Sequence, residues 1–142
     1  MICYFDTSAI VALLVIEPGT PRASRLWQQA SRVVSSELLY VEAAAALAQA
    51  KRMDRLDPPA YQVALDQLDE LYADLHLIHV EERLIRRAAV LAADLALRGY
   101  DAVHCASAER LVADDVVVVT GDSALLRGCR KLSLSTADTS EV

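Results

Sequence analysis

Glycine and proline are scarce, four of each in 142 residues, which leaves little room for long loops. Lysine is scarcer: the 14 basic residues are twelve arginines and two lysines. Arginine suits forked contacts to phosphate or carboxylate, and high-GC coding enriches it too. The three cysteines, Cys3, Cys105 and Cys129, are odd in number and form no CxxC pair. That argues against a disulfide framework and for reduced, structural thiols in a cytoplasmic protein. No fully apolar run exceeds Ala9–Ile16, far short of the ~20 residues that cross a bilayer. The opening MICYFD carries no basic segment ahead of an apolar one, so no secretion signal is expected. There is no GxxxxGK[ST] and no GxGxxG, which counts against ATP or a dinucleotide as ligand. GxSxG is also missing, which counts against Ser8 or Ser123 as an esterase-type nucleophile.

What is present is a hydrophobic fraction of 54%, enough for one globular domain spanning residues 1–142. The net charge of −6 weighs mildly against a nucleic-acid binder. A local patch or a bound metal can reverse that sign at one site.

The chain alternates strand and helix. ICYF (residues 2–5) reads as a buried strand, followed by an apolar helix to about Ile16. A second helix spans Pro21 to Ala30, and Val33–Ser35 is a short strand. Ser35 or Ser36 is expected to cap a long helix reaching Met53, with Glu37 in its first turn. Asp57-Pro58-Pro59 starts the next helix, to Ala73, so residues 37–74 are expected to form a protruding helical hairpin. LHLIHV (75–80) is a strand candidate. Glu81 to Leu97 is helical, with apolar spacing at Leu84, Ala88, Leu91 and Leu95 and a stop at Gly99. Asp101 is expected to open a helix reaching about Val112. Four valines, 116–119, read as a central parallel strand. Ser123–Arg127 is a short helix, Leu132–Leu134 a last strand, and residues 135–142 a tail. This pattern predicts a three-layer α/β/α sandwich around a parallel sheet of four to five strands.

In such a sheet the ligand crevice lies at the carboxyl ends of the strands. Asp6 ends the first strand, Asp122 follows the valine strand across Thr120-Gly121, Asp101 opens a helix, and Glu42 sits two turns into the alanine-rich helix after the second strand. Each acid alone has a plain structural role: Asp6, Asp101 and Asp122 as helix caps, Glu42 as a surface charge. Together they point to one rim. Four like charges there repel unless something neutralises them, and a divalent cation does so. An all-carboxylate site suits Mg²⁺ or Mn²⁺; zinc would want His or Cys. His76 and His79 fall on opposite strand faces and His104 and Cys105 diverge on their helix, so core or surface roles are expected for these histidines. A few acids around Mg²⁺ perform phosphodiester chemistry.

The pieces YFDTSAIVALLVIEPG, SSELLYVEAAAAL, GYDAVHCASA and VVVVTGDSALL resemble the PIN-domain nucleases, and within them the VapC toxins of toxin–antitoxin pairs. The resemblance covers nearly the whole chain. It carries the family's acids onto Asp6, Glu42, Asp101 and Asp122, with Asp6 and Asp101 as main metal ligands and Thr7 or Ser8 and Thr120 in support. The chain departs from some relatives after Asp122, where Ser123 and Ala124 supply no further acid for a second metal. The resemblance implies a Mg²⁺-dependent endoribonuclease, a homodimer, an RNA substrate and a VapB-like antitoxin docking on a groove near Leu13, Leu14 and Trp27. Arg22, Arg25, Arg52, Arg55, Arg127 and Arg130 are candidates to line the RNA approach. Two rivals stand beside it. One is a non-catalytic module using the same fold. The other is an aspartyl-phosphate phosphatase, which would want an acid at Ser8. Removing the Glu42 charge is expected to be neutral or stabilising without metal.

Overall fold

The structure, a computed structural model, describes residues 1–111 and 115–141. Five strands and seven helices alternate along it. The strands are β1 (Ile2–Phe5), β2 (Arg32–Ser36), β3 (His76–Ile78), β4 (Val116–Thr120) and β5 (Ser135–Asp138). The helices are α1 (Thr7–Leu14), α2 (Thr20–Gln29), α3 (Leu39–Arg52), α4 (Pro58–Asp74), α5 (Glu82–Leu95), α6 (Gly99–Glu109) and α7 (Ser123–Lys131). Among the described residues no helix is long and apolar enough to cross a membrane.

The sheet is parallel throughout, in the order β3-β2-β1-β4-β5. The chain steps from β1 through β2 to β3, then returns to β4 on the other side of β1. That reversal opens a crevice at the carboxyl ends of β1 and β4. Strand alternation sorts the core. Cys3 and Phe5 face α1–α4, packing with Leu39, Leu47 and Leu68. Tyr4 faces α5–α7, packing with Leu84, Leu91 and Leu125. The three layers expected from the sequence are therefore present.

Local chemistry explains most boundaries. Asp57 accepts from the Ala60 amide, and Pro58 and Pro59 occupy the first helical turn of α4. Leu84, Ala88, Leu91 and Leu95 form the buried stripe of α5. The helical pair in residues 37–74 is α3 and α4, and its inner residues Leu39, Ala43, Leu47, Ala64 and Leu68 join the Phe5 side of the core.

Several expectations need correcting. Ser35 and Ser36 end β2 instead of capping α3: the Ser35 hydroxyl donates to the Phe5 carbonyl, and Leu38 occupies the cap position without a side-chain bond. Glu37 lies before the helix and accepts from the Val80 amide, tying β2 to the segment after β3. Gly99 does not stop α5. Ala96 does, in the left-handed conformation (φ 54°), and Gly99 begins α6. Val112, where that helix was expected to end, lies outside the described residues, as does Val142. The last strand is Ser135–Asp138, not 132–134. The supposed tail begins with a sheet edge whose polar residues discourage further pairing.

Candidate active site

Asp6 leaves β1 and caps α1. It is 3% exposed. One carboxylate oxygen accepts from the Ala9 amide (2.9 Å) and the Ser8 hydroxyl (2.7 Å), and the other from Thr120. Burial pushes its carboxyl above the ordinary aspartate range, against the opposing pull of His104 and these donors. Ser8 also accepts from the Gly121 amide at 3.0 Å, and Thr120 from the Asp122 amide at 3.0 Å. The turn after β4 is thereby stitched to the turn after β1. A Cβ at Gly121 would come within 2.8 Å of the Thr139 hydroxyl, so any larger residue there would make Thr139 shift.

Glu42 projects from the first turn of α3. Thr7 donates to its carboxylate at 2.7 Å, and His104 Nε2 lies 2.9 Å from the same oxygen. Burial works to raise this carboxyl, but the His104 and Thr7 contacts outweigh it and hold the group below the usual range. An ionised carboxylate only accepts, so Nε2 carries the proton toward it. On the other edge of the ring, Nδ1 lies 2.8 Å from the Tyr4 hydroxyl. His104 is the core histidine that the sequence suggested, and it is also the partner of Glu42, which the sequence did not reveal.

Asp101 is not a cap. It sits in the first turn of α6, whose cap residue Arg98 makes no side-chain cap bond. Burial first, and then the neighbouring Asp122, push the Asp101 carboxyl upward. Asp122 does cap its helix, accepting from the Leu125 amide. Arg98 bridges the two acids, with Nε 3.2 Å from Asp101 and a terminal nitrogen 3.3 Å from Asp122. Its side chain is 81% exposed. Sequence spacing did not single it out.

All four acids line one cavity of about 500 Å³, together with Thr7, Ser8, His104, Arg55 and Arg98. Among the described residues no three His, Cys, Asp or Glu side chains stand close enough for a ready-made metal cage. The donor set still fits a hard divalent cation, because four carboxylates, with the Thr7 and Ser8 hydroxyls beside them, offer oxygen ligands on this rim. Arg98 already places positive charge between Asp101 and Asp122, where two carboxylates demand it. Of the other candidate arginines, Arg22 approaches Glu141 and Arg130 donates to Thr136, so neither side chain is directed at the acids. Leu13, Leu14 and Trp27 pack on the core, with Trp27 edge-on to Phe5 at 5.4 Å.

Comparison with known proteins adds to this geometry. A family model described as PIN domain matches residues 3–131. Ribonuclease VapC45 of Mycobacterium tuberculosis is 38% identical over 125 residues, covering 88% of this chain and 87% of that one. Ribonuclease VapC47 of the same species is 31% identical over 139 residues, covering 94% of each. Among solved structures, PAE2754 from Pyrobaculum aerophilum aligns with a TM-score of 0.70 at 21% identity, over 94% of this chain and 82% of that one. FitAcB from Neisseria gonorrhoeae aligns at 0.72 and 16% identity over 100% of both. At these identities the two structures speak for the fold.

Proposed function

The chain belongs to the PIN-domain family, and from that premise we propose that it is a metal-dependent endoribonuclease, the toxin of a VapBC-type pair. Residues 1–142 would act as a single PIN-like domain and as a homodimer in the cytoplasm, held in check by a VapB-like antitoxin. The names of its relatives support the ribonuclease activity. A solved neighbour, VapBC2 from Rickettsia felis bound to a promoter DNA fragment, supports the antitoxin. The observation that carries the site is the placement of Asp6, Glu42, Asp101 and Asp122, from four different elements, around one cavity at the carboxyl edge of the sheet.

Those four acids would hold Mg²⁺ or Mn²⁺, with Asp6 and Asp101 as the main ligands. Such an ion supplies an activated water and polarises the phosphoryl oxygens. The protein's part is orientation. Ser8, Thr120 and the Ala9 amide fix the Asp6 carboxylate, and Thr7 and His104 fix that of Glu42. Arg98 offsets the repulsion between Asp101 and Asp122.

The test is cleavage of structured RNA with Mg²⁺, with and without EDTA, by wild type and Asp6→Asn. Since outer partners of metal ligands alone are worth about 10–100-fold, Asp6→Asn should lose at least ~100-fold. Cutting that survives EDTA, or an equally active mutant, would sink the proposal. The rival is a non-catalytic module, favoured by one observation: Arg98 already pairs two of the acids. Calorimetry showing no Mn²⁺ binding at all would move the balance to it.

A further inference from the structure

A second cavity, about 630 Å³, opens beside the acids between the start of α3, α5 and α6. That volume falls within the range of about 300–1,000 Å³ common for small-ligand sites. Its character is opposite to that of the first. The wall is Ile85, Ala88, Ala89 and Ala92 from α5 with Val103 from α6, and Tyr100 stands at it. The small alanines leave the space open. Ile85 and Tyr100 are 51% and 57% exposed, although both are large and apolar enough to be buried in a core. The two cavities are contiguous: Glu42, Arg98 and Asp101 line both.

We propose that this apolar cavity is a nucleobase subsite, which takes the base of a nucleotide next to the phosphodiester held at the acids, with the Tyr100 ring as its stacking surface. The proposal rests on the ribonuclease reading and extends it to substrate recognition. A polynucleotide alternates anionic phosphates with flat, weakly polar bases. The protein matches that alternation with a rim of charge adjoining an apolar recess. Arg98 stands at the junction. Its own side chain is largely exposed and its contacts to Asp101 and Asp122 are long, 3.2 and 3.3 Å, so it can turn to a phosphate oxygen of the same nucleotide. Adjacent Tyr100 offers a π-face that every base can use, so this subsite favours stacking over base identity. Asp101 follows directly, which ties the position of the base to that of the acid in the first turn of α6.

The test uses the full chain carrying Asp6→Asn, with Mg²⁺ and a fluorescent six-nucleotide single-stranded RNA. An abasic nucleotide is moved through the six positions, and affinity is read by anisotropy. One abasic position should weaken binding about tenfold when Tyr100 is present and leave it unchanged in Tyr100→Ala. Tyr100→Ala should weaken the intact RNA by the same factor, and Tyr100→Phe should restore it. Because Tyr100 is exposed, neither substitution should alter folding. Equal abasic penalties with and without Tyr100 overturn the subsite. So does a change in the molecular mass of the RNA-free protein on Tyr100→Ala, which would give the cavity to an interface between copies of this chain. If wild type cuts RNA with Mg²⁺ while Tyr100 proves silent, the subsite alone falls. If wild type does not cut, the ribonuclease reading falls, and the subsite with it.

Discussion

Glu42 shows how a carboxylate in an alanine-rich helix finds its partners through the fold. None is near it on α3, and both come from other elements: Thr7 from the start of α1 and His104 from α6. This reverses the expectation that removing its charge relieves strain. The contacts hold its carboxyl below the usual range, so the charged form is favoured. Glu42→Gln keeps an acceptor for Thr7 and His104 but loses charge assistance, and should cost about 1 kcal/mol in urea unfolding with chelator. RNA cleavage should fall by ~100-fold or more in the same variant. His104→Ala should be harsher, about 2–4 kcal/mol, because it leaves Glu42 with Thr7 alone, strips the Tyr4 hydroxyl of its partner and opens a void beside Tyr4. If the two variants proved equally stable, His104 would not be the organiser of this corner. Arg98 has the opposite sense. It competes with any cation for Asp101 and Asp122, and exposed pairs are weak. Arg98→Ala should therefore tighten Mn²⁺ binding by up to about fivefold in calorimetry. Asp6 was legible in the sequence because it ends a strand. His104 and the bridging role of Arg98 were not, since Glu42 lies 62 residues from His104 and Asp122, the second acid that Arg98 joins, lies 24 residues from it.

At the level of elements, α5 and α6 are fastened by a fork. Arg87 Nε and a terminal nitrogen each reach a Glu109 oxygen at 2.7 Å. That hydrogen-bonded pair holds the Glu109 carboxyl below its ordinary range. The unfolded chain then binds a proton more readily than the native one, so stability rises with pH through this range. The contribution is complete above the unfolded value near 4.5 and fades as pH falls through the folded one. Both side chains are partly exposed, so the fork is worth at most about 1 kcal/mol. Wild type should exceed Glu109→Gln in urea stability by that margin at pH 7, with the two converging in acid. A gap that persisted once both states are protonated in strong acid would assign the effect to packing. The helices with strong local signals, α4 and α5, lie close to where the sequence placed them. β5 was shifted because STAD is too polar to read as a strand; only its pairing with Val117–Thr120 makes it one. Gly99 misled for a related reason: the left-handed turn after α5 fell to Ala96.

For the whole molecule, the doubly wound order follows from strand–helix alternation, and the crevice from where that order reverses. What alternation does not fix is how charge is distributed around the crevice. The net charge is −6, and among the described residues Arg55 and Arg98 are the two arginines that line the acid cavity. RNA affinity should therefore depend on divalent ions and respond weakly to monovalent salt. With two basic contacts, the slope of log affinity against log salt should be about −1.4 for single-stranded RNA. A slope near −5, read by anisotropy with Asp6→Asn, would mean that distant arginines join in.

The pairing of β1 with β4 carries one more consequence, and it concerns time. Asp6 is bonded to Thr120, 114 residues later, and the turn holding Asp122 is sewn to the turn holding Asp6. A ribosome therefore finishes three of the four acids, Asp6, Glu42 and Asp101, while the site still lacks its closing edge. Until Thr120-Gly121-Asp122 has been made and docked, the nascent chain carries a half-built crevice with Asp6 short of its strongest donor. Translation that stalls before that point yields a fragment without the assembled acid set, so the order of synthesis itself delays any hazard this chain poses to the RNA around it.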